Sequence, residues 1–327
     1  MEKGNRKAYF DNAKFLLMLL VVFGHLLQPF TEEDHWLYDL YLTIYSFHMP
    51  AFIFISGYFS KSFTRKEKQV KKSVYKFIIP YIIFQWIYSL YYWLIGRNDS
   101  FSLNLLVPNW SLWFLLSMFF WRISLYLFDK LKPGLGISIS ILGSLLIGYV
   151  PFIGRELTLQ RTFVFLPFFI TGYYFKKSSM ESFKKFRWRR WLFLILPIIF
   201  LIIRCTPSID KHVFFGSKPY EDFLGLVELG AVVRLFSLIL GFIGVVGFLG
   251  IVPEKEYFYT KNGQNTIIVY LLHGFFIQGL RAINFSGCDL HTWAYLGLVF
   301  VLVLGSFILT MFLSSDLVTN TYKKIMN

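Results

Sequence analysis

The chain has 327 residues, with 33 lysines and arginines against 19 aspartates and glutamates for a net charge of +14; 56% of residues are apolar and only 16% charged. A soluble domain is roughly a quarter charged. Charge this sparse and clumped excludes a water-facing globule, disorder, collagen and coiled coil, and two cysteines are too few for a disulfide scaffold. The class is an integral membrane protein.

A crossing helix needs about 20 mostly apolar residues. That template finds ten segments in chain order: Tyr9–Phe30, Asp39–Phe59, Phe77–Ile95, Ser111–Phe128, Leu135–Phe152, Thr162–Phe175, Trp191–Arg204, Leu229–Ile251, Gln264–Asn284 and Thr292–Ser315. The sixth and seventh are short. The first follows Lys3, Arg6 and Lys7 like a leader, but it is long, contains Asp11 and Lys14, and no small-x-small cleavage site follows. It reads as a retained anchor.

An even number of crossings puts both termini on one side, and the distribution of positive charge chooses which. Segments on the N-terminal side hold 23 lysines and arginines, and the opposite side holds six: Arg97, Arg155, Arg161, Arg204, Lys211 and Lys218. The sequence thus predicts an all-α membrane bundle of about ten transmembrane helices, termini cytoplasmic, forming a single domain over residues 1–327 in the cell membrane. Topology accounts for the net charge, so no nucleic-acid partner is expected. The bilayer is the expected surrounding, and a homo-oligomer stays open.

Titratable groups inside a crossing helix are functional candidates by default. In the first segment, Asp11, Lys14 and His25 share a helix face, because eleven residues at 100° each come within about 20° of whole turns. The same residues also read as an interfacial i,i+3 ion pair with a snorkelling lysine, and as a packing histidine. The second segment carries Ser46-Phe-His48-Met-Pro50, where Pro50 removes a backbone donor. The ninth carries Tyr270 and His273 at i,i+3. No His-x-x-x-His or Glu-x-x-His pair lies on a segment, so no metal is expected, and no nucleophile elbow, P-loop or dinucleotide fingerprint is present.

Lys14-(ten residues)-His25 followed by Phe-His-Met-Pro-Ala-Phe-Ile-Phe-Ile-Ser-Gly-Tyr (47–58) resembles the acyltransferase 3 family of membrane O-acyltransferases. Pro-Asn-Trp-Ser-Leu-Trp-Phe-Leu (108–115), Arg-Thr-Phe-Val-Phe-Leu-Pro-Phe-Phe-Ile-Thr-Gly-Tyr-Tyr (161–174) and Asn-Thr-Ile-Ile-Val-Tyr-Leu-Leu-His (265–273) extend the resemblance over most of the chain. The Arg161 segment is similar to the fucose 4-O-acetylase-like branch. Two departures stand out: Lys14 replaces the usual arginine, and no Arg-x-x-Arg element follows the second segment.

The resemblance implies transfer of an acyl group, usually acetyl, from cytoplasmic acyl-CoA to a hydroxyl of an extracytoplasmic glycan. Acetyl-CoA is then the donor, with Lys14, Lys71, Lys72 and Lys76 as candidates for its phosphates. His25 is the candidate general base or acyl carrier, and Asp11 holds Lys14. His48, Trp113, Arg161, Tyr270 and His273 are candidates for the tunnel or the acceptor. A polysaccharide exporter and a scaffold for a glycan synthase are the competing classes. Cys205 and Cys288 fall on the same outer side and leave a disulfide open.

Overall fold

A computed structural model describes residues 3–32, 34–62, 67–206, 209–283 and 292–326. The described residues are helical, joined by 3-10 turns and loops, with no strand among them. The helices are α1 (Lys3–Leu27), α2 (His35–Tyr58), α3 (Glu67–Ser73), α4 (Ile79–Leu94), α5 (Trp113–Phe128), α6 (Pro133–Leu146) and α7 (Leu159–Tyr174). They continue as α8 (Lys177–Lys185), α9 (Ile195–Cys205), α10 (His212–Phe215), α11 (Gly230–Ile251), α12 (Thr266–Ala282), α13 (Thr292–Leu313) and α14 (Asp316–Met326). A helix stands in each of the ten apolar segments. Among the described residues, six apolar stretches are long enough to cross a membrane by length and composition, and two shorter apolar helices accompany them.

The faces of these helices are inverted relative to a soluble protein. On α11 the stripe Val232, Leu235, Ile239, Ile243 and Val246 is exposed, while Arg234 is 2% exposed. These apolar residues recur at helical spacing and point outward, where only hydrocarbon would accept them. Ile82, Trp86, Leu90 and Trp93 do the same on α4, and Phe300, Leu304 and Ile308 on α13. The chain is a multi-pass helical membrane protein.

Two polar contacts tie helix ends together across the bundle. Arg204 at the end of α9 donates to Asp39 Oδ2 near the start of α2 at 3.2 Å, and Tyr173 near the end of α7 donates to Asp129 Oδ1 just past α5 at 2.6 Å. Asp34 caps α2 by accepting from the amides of Trp36 at 2.6 Å and Leu37 at 3.2 Å, satisfying two of the orphan donors of its first turn.

The α2–α7 crossing is tight, and glycine makes it so. A Cβ on Gly57 would enter the Phe169 carbonyl, and one on Gly172 would enter the Phe54 carbonyl. Small residues at such a crossing let backbones approach where no hydrophobic force separates helix from lipid. The α2 helix runs unbroken through Pro50. Gly241 of α11 lies over the Ser46 carbonyl, the acceptor that Pro50 leaves without its usual donor. Between α3 and α4 the helix widens into a π turn at Val74–Ile78, a local feature that often re-aims a side chain at functional positions.

Candidate active site

The bundle encloses a cavity of about 860 Å³, within the range of cofactor-sized pockets. On α1 its wall is Lys14, Met18, Val21, His25 and, just beyond the helix end, Gln28. Those spacings of four, three, four and three are one face of a helix. At 1.5 Å per residue, Lys14 and His25 stand about 16 Å apart along the axis. The α2 wall is Tyr45, His48, Met49, Phe52, Ile55, Ser56 and Phe59, again a single stripe.

At the Lys14 end the cavity is lined by Lys14, Lys76, Arg122, Gln264 and Tyr322. Lys14 Nζ lies 2.7 Å from Asp11 Oδ1, and Gln264 Nε2 donates to Asp11 Oδ2 at 3.0 Å. The Asp11 carbonyl packs on Gly263, where a Cβ would not fit. Lys76 sits on the π turn, and Arg122 comes from α5 with its guanidinium 5.8 Å from the Phe77 ring. Lys71 and Lys72 are exposed on α3 and do not line the cavity.

His25 lies in the upper half, half-buried, among aromatic rings. Its Nδ1 is 3.2 Å from the Tyr45 hydroxyl, and its backbone carbonyl accepts from Arg281 Nη2 at 2.8 Å. Trp110 lies against it, tilted, with centroids 4.2 Å apart, and the His273 ring is 5.6 Å away. Trp110 adopts φ 43°, a left-handed backbone that costs a non-glycine residue about 1–2 kcal/mol and persists only where surroundings impose it. When Nδ1–H of His25 donates to Tyr45, its Nε2 carries the free lone pair.

The two other buried histidines have one ring nitrogen committed. His48 Nδ1 donates to the Ile44 carbonyl at 2.7 Å, and His48 lines the cavity. His273 Nδ1 donates to the Val269 carbonyl at 3.0 Å; its Nε2 is buried without a partner, and it does not line the main cavity. Tyr270 lines the cavity with its hydroxyl spent on the Ser111 carbonyl. Arg161 lines it too, with Nε donating to the Phe215 carbonyl at 3.3 Å and the guanidinium 4.8 Å above the Trp113 ring. Trp113 itself stacks on Phe165 at 5.6 Å.

The far end is lined by Gly154, Arg155, Thr158, Lys211, His212, Ser217 and Lys218. Thr158 reaches it from a backbone at φ 59° and is tied to Ser117 at 2.9 Å. His212 bonds Asp210 Oδ1 at 2.7 Å, yet burial pushes its imidazole below the ordinary value. The positive charge there is therefore carried by the lysines and Arg155. No aspartate or glutamate lines the main cavity among the described residues. A side cavity of about 280 Å³ meets it at His25, Gln28 and Lys211; Arg281 and Glu32 share its walls with Leu26, Phe30, Ile277 and Leu302.

Several of these residues were not singled out by the sequence reading. Tyr45 precedes His48 by three positions, so one face carries both, a signal present in the sequence. Arg122 and Arg281 are charges within apolar segments, the same signal that marked Lys14. Lys211 and Lys218 belong to a long loop, where spacing says nothing about convergence. Cys288 lies outside the described residues, and Cys205 is exposed at the end of α9. No group of three or more His, Cys, Asp or Glu side chains is placed to hold a metal among the described residues.

Residues 47–58 and 108–115 form the walls around His25, and residues 265–273 carry Tyr270 and His273 beside it. The chain is 46% identical over 70 residues to the nodulation protein NolL of Mesorhizobium japonicum, covering 19% of each chain. It is 47% identical over 57 residues to NolL of Sinorhizobium fredii, covering 16% of each. The matched region thus spans less than a fifth of these curated relatives. No solved structure matches. The profile of the acyltransferase 3 family, described as an acyltransferase domain, matches residues 7–314, and the chain belongs to that family.

Proposed function

We propose that the protein is a cell-membrane O-acetyltransferase that moves acetyl from cytoplasmic acetyl-CoA to a hydroxyl of an extracytoplasmic glycan. The observation that carries this reading is one cavity joining the cationic Lys14 end to the His25 end. On the expected topology of ten crossings with cytoplasmic termini, the Lys14 end faces the cytoplasm. Lys14, Lys76 and Arg122 there receive the donor's phosphates, and the exposed Lys71 and Lys72 attract the polyanion toward the mouth. The pantetheine arm then follows the α1 stripe toward His25.

The acceptor hydroxyl enters from the far end. Its oxygen attacks the thioester carbonyl while His25 Nε2 takes the proton. Arg161, whose Nε alone is spent on the Phe215 carbonyl, stabilises the negative charge that develops on the carbonyl oxygen. Collapse breaks the carbon–sulfur bond, and the CoA thiolate leaves with the proton returned by His25. Tyr45 fixes the imidazole tautomer, as a hydrogen-bond partner on the second ring nitrogen does. His48 and Trp113 line the passage, and His273 packs beside it.

The test is inside-out membrane vesicles supplied with [¹⁴C]acetyl-CoA on their cytoplasmic face. Label should enter a glycan in the lumen, and His25→Ala should reduce it to background with the protein still inserted. Full transfer by His25→Ala would overturn the base assignment. Glycan transport without label would favour an exporter.

A further inference from the structure

The six cations on the side opposite the N-terminus are not scattered. Arg204 pairs with Asp39 at 3.2 Å, and Arg97 lies 5.1 Å over the Tyr92 ring. The other four, Arg155, Arg161, Lys211 and Lys218, all line the main cavity, three of them, Arg155, Lys211 and Lys218, at its far end. Topology thins positive charge on that side, so gathering half of what remains at one mouth is not explained by orientation. It is explained by a ligand.

Lys211 and Lys218 are half-buried, and with Arg155 they form no ion pair among the described residues. Asp210, next to Lys211, is bound to His212 at 2.7 Å, while Glu156 beside Arg155 and Glu221 and Asp222 after Lys218 are exposed and form no ion pair with the three cations among the described residues. Glu32 is exposed on the wall of the side cavity that Lys211 shares, without pairing to it. Half-buried like charges without counter-ions repel one another and focus an attractive field for an anion.

We propose that this rim recognises a negative charge on the acceptor. The hydroxyl that is acylated belongs to an anionic carbohydrate, carrying a carboxylate or a phosphate close to the reacting sugar. Arg155, Lys211 and Lys218 bind that group and orient the hydroxyl toward His25. This rests on the acyl-transfer reading above and narrows its substrate class.

The experiment labels the native acceptor in membranes with [¹⁴C]acetyl-CoA and passes the labelled glycan over an anion-exchange resin. The label is expected to be retained and released by salt. Loss of retention after mild acid identifies a sugar phosphate or pyrophosphate; loss after carbodiimide-mediated reduction identifies a carboxylate. In purified protein, Arg155→Gln/Lys211→Gln/Lys218→Gln is expected to raise the acceptor KM about tenfold or more, the sum of three modest charge contacts, with the acetyl-CoA KM unmoved. The charge-conserving Lys211→Arg/Lys218→Arg is expected to stay within about threefold of the parent. Labelled glycan that flows through uncharged, or an acceptor KM unmoved in the triple variant, overturns the proposal. Absence of label in any glycan overturns the acyl-transfer reading, and this one with it.

Discussion

The indole of Trp110 lies against the imidazole of His25, centroids 4.2 Å apart and planes inclined at 48°, and it is delivered there by a left-handed backbone. Gly274 on α12 makes the room, since a Cβ there would meet the indole Cζ3 at 2.6 Å. The strain has a use if the indole holds the imidazole in place. Trp110→Gly relieves the backbone and removes the wall. It should lower thermal stability in detergent, because the lost packing of the indole outweighs about 1–2 kcal/mol of relieved strain, and lower kcat by about tenfold or more, while Trp110→Phe keeps most of the rate. Equal kcat in Trp110→Gly would assign the strain to packing alone.

The α2–α7 crossing gives a stability prediction. The atom that a Cβ on Gly57 meets is the Phe169 backbone carbonyl, which cannot rotate aside as a side chain can. Gly57→Ala should therefore force the helices apart and cost about 3 kcal/mol or more, the upper end of overpacking. Gly143→Ala is the control, because its Cβ would meet only Phe163 Cδ1 at 3.5 Å. Thermal unfolding in detergent should separate the two by many degrees, and coincident curves would mean that the crossing adapts.

Asp11 does not line the cavity but determines where Lys14 lies. Its carboxylate holds Lys14 at 2.7 Å and is itself held by Gln264 at 3.0 Å. Asp11→Asn keeps the shape and removes the charge. The lysine should then lose its fixed position, raising the KM for acetyl-CoA about three- to tenfold at nearly constant kcat. A drop in kcat with KM unchanged would place Asp11 in the chemistry rather than in donor positioning.

Much of this site could be read from the sequence because helices make spacing into geometry. The separation of eleven between Lys14 and His25 put them on one face, and Met18, Val21 and Gln28 complete the same cavity wall. Apolar length likewise located a helix at each of ten positions. Convergence between distant segments has no such arithmetic. Nothing in the spacing says that Arg281 reaches back 256 positions to His25, or that Lys211 and Arg155 share a rim. The left-handed Trp110 was equally hidden, because Asn-Trp-Ser carries no glycine to announce a positive φ.

Arg281 illustrates how such a distant contact matters. Its Nη2 donates to the His25 carbonyl at 2.8 Å and to Gln28 Oε1 at 3.0 Å, and the guanidinium stands 5.8 Å from the Trp110 ring. One guanidinium nitrogen, held in plane by the rest of the group, thereby ties the last turn of α1 to the end of α12. A lysine there would keep the charge but could not reach both oxygens with fixed geometry. Arg281→Lys should therefore lower kcat about tenfold, since small displacements of a catalytic group are costly. The KM for acetyl-CoA should stay within about twofold, because Lys14, proposed above to meet the donor, lies about 16 Å away along α1. Arg281 is a positioning residue on this account, acting through the α1 backbone. A variant whose KM for acetyl-CoA rises in step with the loss of kcat would show instead that the guanidinium holds the whole of α1, the donor end included.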